Sequence, residues 1–377
     1  MDLLLTDDER AFRDRVRAWL ETHVPGEPRP LGDLAAGREF DVAWQRELAA
    51  AGYAGLSWPR EYGGAGLSPV EELIFHVESA AAGAPDLGTL FVGLAHAGPT
   101  LIHAGSPEIQ RQFLPRILSG EDIWCQGFSE PGAGSDLAAI RTKGVVDGSV
   151  LVVTGQKIWT SYAQVADRQE LLVRTDPEAP RHQGLSWVVA DMDTPGIEVR
   201  PIRTAADDHH LCEVFYDEAR IPLERVVGDL NNGWRTAMTT LSFERGTAFL
   251  AEQVRLRQRV AGLAEYVDHP GAPPDAAARW ARASAAADAL FAMSLRSISE
   301  VRRMGQPGPA ASMVKLATAD AERVVGELQM DLLGPDAVWV NELSRGWREQ
   351  FAYIFGGGTP EIQRNLIGER MLGLPRN

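Results

Sequence analysis

The stretch "GQKIWTS", Gly155 to Ser161, sets a tryptophan beside two hydroxyl side chains at the end of a strand-like run. An indole offers a broad apolar face to a flat ligand, and Thr160 or Ser161 can hydrogen-bond that ligand's edge. Taken alone, a core tryptophan is the plainer reading of Trp159. A second stretch, "FSEPGAGSD" (Phe128 to Asp136), brings Ser129 and Ser135 to a glycine-rich turn. It reads either as the lining of a planar ligand's site or as a tight inter-domain loop, since no lysine follows where a phosphate cradle needs one. The third stretch is "IFGGGTPEIQRN", Ile354 to Asn365, with its run of glycines. Such a run is a flexible surface turn, or a backbone that something approaches so closely that no side chain fits.

The elements that must hold these stretches can be read from periodicity. From the start to Asp122 the pattern is helical: Thr6 precedes acids and then Phe12, Val16 and Leu20 at four-residue spacing, and Ser68 precedes a proline and another apolar stripe. Pro115, inside "SPEIQRQFLPRILSG", predicts a break or kink. The period then changes to strands, with a hairpin at Asp147-Gly148 and further runs "GLSWVVADM", "GIEVRPI" and "EVFYDEARIP". Beyond Asn231 long amphipathic helices return, the first of them a periodic run through Val267. The expected domains are helical over 1–122, β over 123–229 and a helical bundle over 230–377.

The chain has 377 residues and a net charge of −15, which argues against a nucleic-acid or anionic-membrane surface. Its only cysteines, Cys125 and Cys212, exclude a disulfide scaffold and a cysteine-based zinc site. No basic leader or membrane-length apolar run is seen, so a cytoplasmic location is expected. A Rossmann fingerprint and a Walker loop are absent.

The stretches "GFSEPGAGSD", "GQKIWTS", "LSFERG" and "GGTPEIQRNLIGERMLGLP" stand in the order and spacing of the acyl-CoA dehydrogenase family of flavoproteins, which the whole chain resembles. The resemblance implies an α+β fold: an N-terminal helical domain, a middle β-barrel or sandwich domain and a C-terminal four-helix bundle. It also implies FAD, an acyl-CoA or acyl-carrier-protein thioester as substrate, reoxidation by an electron-transfer flavoprotein, and a homodimer or homotetramer completing each flavin site across subunits. Carried over by position, Phe128 and Ser129 touch the flavin ring, Trp159 lies against it, and Thr160 and Ser161 bond its edge. Ser135 falls near the CoA part of the substrate and the cofactor, and Arg245 near the pantetheine and adenine portion. Thr359 and Glu361 match positions that hold FAD, and Gly357 and Gly358 form the turn beside the flavin and the thioester.

Dehydrogenation across Cα–Cβ of a thioester needs a base at Cα and a hydride acceptor at Cβ, and a flavin supplies the acceptor. Many members of the family carry the basic glutamate directly before the Gly-Thr that matches Gly358-Thr359, but this chain has Gly357 there. Glu244, in "LSFERG", matches the helix position where other members place it instead, with Leu241, Ala248 and Ala251 expected on its face. A structural pairing with Arg245 or with a neighbouring helix is the plainer alternative.

Some positions depart from the family. The Arg-x-x-Phe-Gly segment is missing, Asp331 replaces the glutamine before the Leu-Leu-Gly turn that keeps Gly334, and Arg168 stands where a tryptophan is common. Such losses occur in bacterial members that act on bulky substrates or pair with a related subunit, so a hetero-oligomer is a further expectation. A flavin oxidase or monooxygenase, or a catalytically silent subunit, are the rival readings on this scaffold.

Overall fold

The computed structural model describes residues 5–244, 250–269, 271–304, 310–339 and 342–375. Its helices are α1 (Asp7–His23), α2 (Leu34–Ala50), α3 (Pro69–Ala81), α4 (Gly98–Ala104), α5 (Pro107–Leu118), α6 (Gly233–Glu244), α7 (Leu250–Gly262), α8 (Ala264–Val267), α9 (Ala276–Met304), α10 (Ala310–Leu333), α11 (Glu342–Phe355) and α12 (Pro360–Arg370). Its strands are β1 (Trp124–Gly127), β2 (Lys143–Asp147), β3 (Val150–Ser161), β4 (Arg168–Arg174), β5 (Leu185–Asp191), β6 (Ile197–Ile202), β7 (Leu211–Pro222) and β8 (Val226–Val227). No described helix is long and apolar enough to cross a membrane.

By its contacts the chain forms two compact units, Met1–Val24 with Ser68–Ala84 and Arg245–Asn377, and Pro25–Leu67 with Pro85–Glu244. In the first unit α1 packs on α3, α3 on α7, and α7, α9, α10 and α11 form the bundle, with α12 against α10. Sequence explains the helix starts. Thr6 accepts from the Glu9 amide while the Glu9 carboxylate accepts from the Thr6 amide, and Ser68 with Glu71 repeats that reciprocal cap. The bundle's interior is a cluster of apolar residues from α7, α9 and α10, among them Leu256, Leu290 and Leu328.

The second unit holds the sheet, ordered β6-β7-β3-β2-β4-β5-β8, with β1 added alongside β4. The β2–β3 hairpin turns at Asp147 and Val150 as expected, with Gly148 in the left-handed region at φ 61°. One apolar cluster runs from Trp58 through Phe113, Trp124 and Trp187 to Ala237, and a second lines the other side of the strands with Leu151, Leu171, Val214 and Ile221. β5 is buried along nearly its whole length, which fits its apolar run Trp187–Ala190.

Two expectations change. Pro115 does not break α5, which runs through it to Leu118. The run expected to be one long helix from Gly233 to Val267 is described as α6, α7 and α8, with residues 245–249 outside the described residues.

Asp41 anchors the second unit's non-sheet part. Its buried carboxylate accepts from Arg29 Nε and Nη2 at 2.7 and 2.9 Å and from the Thr89 amide and hydroxyl at 2.8 and 3.0 Å. Asp41→Asn keeps the shape and leaves a guanidinium short of its charge partner, so we expect a loss of about 2–4 kcal/mol. Urea unfolding of the variant checks this; an unchanged midpoint would show that the pair holds nothing together.

Candidate functional site

The stretches singled out at Phe128–Asp136 and Gly155–Ser161 meet in the second unit. β3 pairs antiparallel with β7, and the register slips between Lys157, opposite Val214, and Thr160, opposite Cys212. The slip is a β-bulge, with one more residue on β3 than on its partner. Inside it Trp159 takes φ 64°, a left-handed backbone that a bulky residue rarely adopts. The consequence is that the indole stands 57% exposed rather than filling the core.

The turn Phe128–Ala133 lies against this bulge. The Ile158 amide donates to the Ser129 carbonyl at 2.9 Å, and Glu130 and Ala133 exchange backbone hydrogen bonds at 3.1 and 3.0 Å. Beneath it, Lys157 Nζ donates to the Phe128 carbonyl at 3.0 Å and to Glu130 Oε1 at 2.8 Å. Glu130 also accepts from the Arg141 and Thr142 amides at 2.7 and 2.9 Å. Burial pushes the Lys157 ammonium down to about 8, with Glu130 pulling it back up. Burial would raise the Glu130 carboxyl, but Lys157 and the amide donors outweigh it and leave it below its ordinary value.

The predicted residues differ in what they present. Ser129 and Ser161 are half-buried and Ser135 is exposed on the turn. The Phe128 side chain is buried in the core cluster, and its carbonyl accepts from the buried Lys157 ammonium. Thr160 is fully buried, and its hydroxyl has no hydrogen-bond partner among the described residues. Glu244 closes α6, and its side chain, like Arg245 and Ala248, lies outside the described residues. Leu241, one turn before it, packs against the core of the second unit. Arg168 is tied to Asp191 at 3.0 Å and sits 3.6 Å from Asp122 at the head of β4.

The remaining predicted residues belong to the first unit. The glycine run is a turn between α11 and α12 in which Gly357 and Gly358 have φ 69° and 99°. Gln363 Nε2 donates to both their carbonyls at 3.0 and 3.4 Å, and a Cβ on Gly358 would stand 2.8 Å from that nitrogen. A Cβ on Gly356 would stand 2.8 Å from the Ala352 carbonyl. Part of the answer to why three glycines stand there is therefore local. Thr359 caps α12, accepting from the Ile362 amide at 3.4 Å, and Glu361 is exposed beside Arg364. Asp331 is paired with Arg279 on α9, and Gly334, at φ 52°, ends α10.

Sequence reasoning missed two buried polar groups. Lys157 and Glu130 sit inside the quoted stretches, and a lysine in an apolar strand was the available signal. The second is His96, Gln126 and Glu170: Gln126 Nε2 donates to Glu170 Oε1 at 2.7 Å and lies 3.3 Å from His96 Nδ1. His96 belongs to a π-helical stretch, Val92–Ala97, which has no signature in the sequence.

Residues 6–121, 125–219 and 231–372 match, in turn, the acyl-CoA dehydrogenase N-terminal, middle and C-terminal domains. The chain belongs to the acyl-CoA dehydrogenase family. It is 41% identical over 383 residues to acyl-CoA dehydrogenase IpdE1 of Mycobacterium tuberculosis, covering 98% of each chain. Among solved structures it resembles the Tcur3481-Tcur3483 steroid ACAD, with TM-score 0.84, 30% identity and 100% of both chains covered. It also resembles the ChsE4-ChsE5 complex from Mycobacterium tuberculosis, with TM-score 0.82, 32% identity and 100% of both chains covered.

This acyl-CoA dehydrogenase is an oxidoreductase that uses FAD to dehydrogenate an acyl thioester. The residues present fit that group: a large ring stands 57% exposed on a left-handed bulge, a face on which a flat ring can stack. Trp159→Gly separates fold from ligand. Glycine relieves the left-handed backbone, so the apo-protein should melt no lower than wild type, while FAD should dissociate at least several-fold more readily for want of the stacking face, worth about 0.5–1.5 kcal/mol beyond its area. Full flavin retention in this variant would remove Trp159 from the site.

Proposed function

We propose that Glu244 takes the α-proton of the acyl thioester, and that Ser129, Trp159, Ser161 and the Phe128 backbone take the flavin ring. The bulge that exposes Trp159 beside the Ser129 turn is the observation that carries this reading. FAD supplies the hydride acceptor for Cβ, which no side chain can replace. Glu244 stands in "LSFERG" at the end of α6, a carboxylate suited to general-base work where its surroundings are dry. Gly357, at the alternative position for the base, offers no side chain at all.

Arg245 suits the phosphate and amide oxygens of CoA, since a guanidinium offers a planar fork of donors. The likeness to a steroid ACAD supports a bulky, ring-bearing acyl group, and the likeness to the ChsE4-ChsE5 complex supports assembly with a second, related chain. An electron-transfer flavoprotein is the reading for reoxidation.

Glu244→Gln keeps the shape and loses the basicity. FAD should remain bound while acyl-CoA no longer bleaches it, with a loss of about a hundred- to ten-thousand-fold in the rate of reduction. Reduction at the wild-type rate would place the base elsewhere. Arg245→Ala should raise KM by a similar factor for CoA esters of every acyl group, and an effect confined to one acyl group would move Arg245 to the acyl pocket.

A further inference from the structure

We propose that Lys157 is a positioning residue: its buried ammonium fixes the Phe128–Glu130 turn onto the β3 bulge and so sets the distance between the Ser129 backbone and the Trp159 indole. This rests on the reading that both take the flavin ring.

Lys157 is among the largest side chains with no exposure at all, and its Glu130 partner is also buried. Taking a charged pair out of water is costly, and well-packed apolar residues of like volume often serve stability as well or better. Stability alone is thus a poor reason for a lysine here. What distinguishes this one is where its hydrogen bonds go. Both described bonds end on the turn, at the Phe128 carbonyl and the Glu130 carboxylate. Glu130 in turn grips the Arg141 and Thr142 amides, and the Thr142 hydroxyl donates to the Gln156 carbonyl at 3.2 Å, next to Lys157 in β3. The chain therefore closes on itself: strand to turn through the ammonium, turn to the 141–142 segment through the carboxylate, and that segment back to the strand.

The bulge begins at Lys157. A left-handed tryptophan two residues on persists only where its surroundings over-determine it. The ammonium and the Ile158 amide, which donates to the Ser129 carbonyl at 2.9 Å, are the ties that hold the bulged strand to the turn. Without the first, the Ile158 amide is the one described hydrogen bond left between the bulged strand and the turn, so their spacing is set less tightly while the rest of the sheet keeps its ladder.

The test compares Lys157→Met and Lys157→Gln with Asp41→Asn, a variant of another buried ion pair in the same unit whose described hydrogen bonds reach neither the turn nor the bulge, although its charges act on Tyr162 next to Ser161. Melting of each apo-protein, its FAD dissociation constant and the visible circular dichroism of its bound flavin are measured. Lys157→Met should weaken FAD at least tenfold and change the dichroism, and Lys157→Gln, which retains one N–H donor for the Phe128 carbonyl, should recover part of both. Asp41→Asn should melt earlier with both flavin readouts near wild type. Should Lys157→Met fail to fold, the glutamine variant against Asp41→Asn carries the comparison. Flavin readouts that stay at wild type in the Lys157 variants, or that track melting temperature equally across all three, overturn the proposal. Trp159→Gly separates the levels: if it loses FAD while Lys157→Met does not, the flavin site stands and only the positioning role falls.

Discussion

One extra residue in β3 is the constraint on which the second unit's candidate site depends. In a regular strand Trp159 would alternate with its neighbours, and burial of Lys157 would set the faces of the residues after it. The bulge breaks that alternation, so that Lys157 and Thr160 both point inward while Trp159 stands out. A left-handed backbone at a bulky residue costs on the order of 1–3 kcal/mol. That cost is carried by a sheet whose ladder continues on both sides of the irregularity, with Gln156 opposite Phe215 before it and Ser161 opposite Leu211 after it.

The frame around the bulge is stiff for reasons of packing. Apolar side chains cover both faces of the central strands, and β5 is buried along nearly its whole length. α6, which carries Glu244 at its end, is fixed within the same unit: Ala237 and Leu241 join its core, and the Thr100 hydroxyl donates to the Thr240 hydroxyl at 2.9 Å. The helix that ends on the proposed base therefore starts from a well-packed platform, a requirement for any group that must meet a substrate atom in a set geometry.

The first unit shows a different economy. Its bundle is built by alanine-rich helices whose stripes meet in one cluster, and its glycine turn between α11 and α12 answers in part to its own backbone and to Gln363. Two left-handed positions in succession and a glutamine folded back onto their carbonyls leave little freedom there. A glutamate at Gly357 would have to adopt φ 69°, which a side chain disfavours.

The capped helices, the hairpin and the runs that become β5, β6 and β7 were legible in the sequence because each is a local matter of periodicity and caps, whereas β1 and β4 carry no such local signal and were not singled out. Thr6, Ser68 and Asp147-Gly148 act on neighbours within a few residues, and the structure keeps all of them. The family and its cofactor were legible too, since whole stretches such as "GQKIWTS" and "LSFERG" stand in order along the chain. What the sequence could not settle was which side chains of a stretch face in or out. Thr160 and Phe128 look as accessible as Ser161 and Ser129 in one dimension, and they are buried because a bulge and a core cluster decide their direction. Nor could it pair Lys157 with Glu130, which lie 27 residues apart and meet only when β3 passes beneath the turn. Local propensity acts over one turn or one hairpin, whereas burial and ion pairing are settled by whatever the fold brings alongside, and that is a property of the packed chain alone.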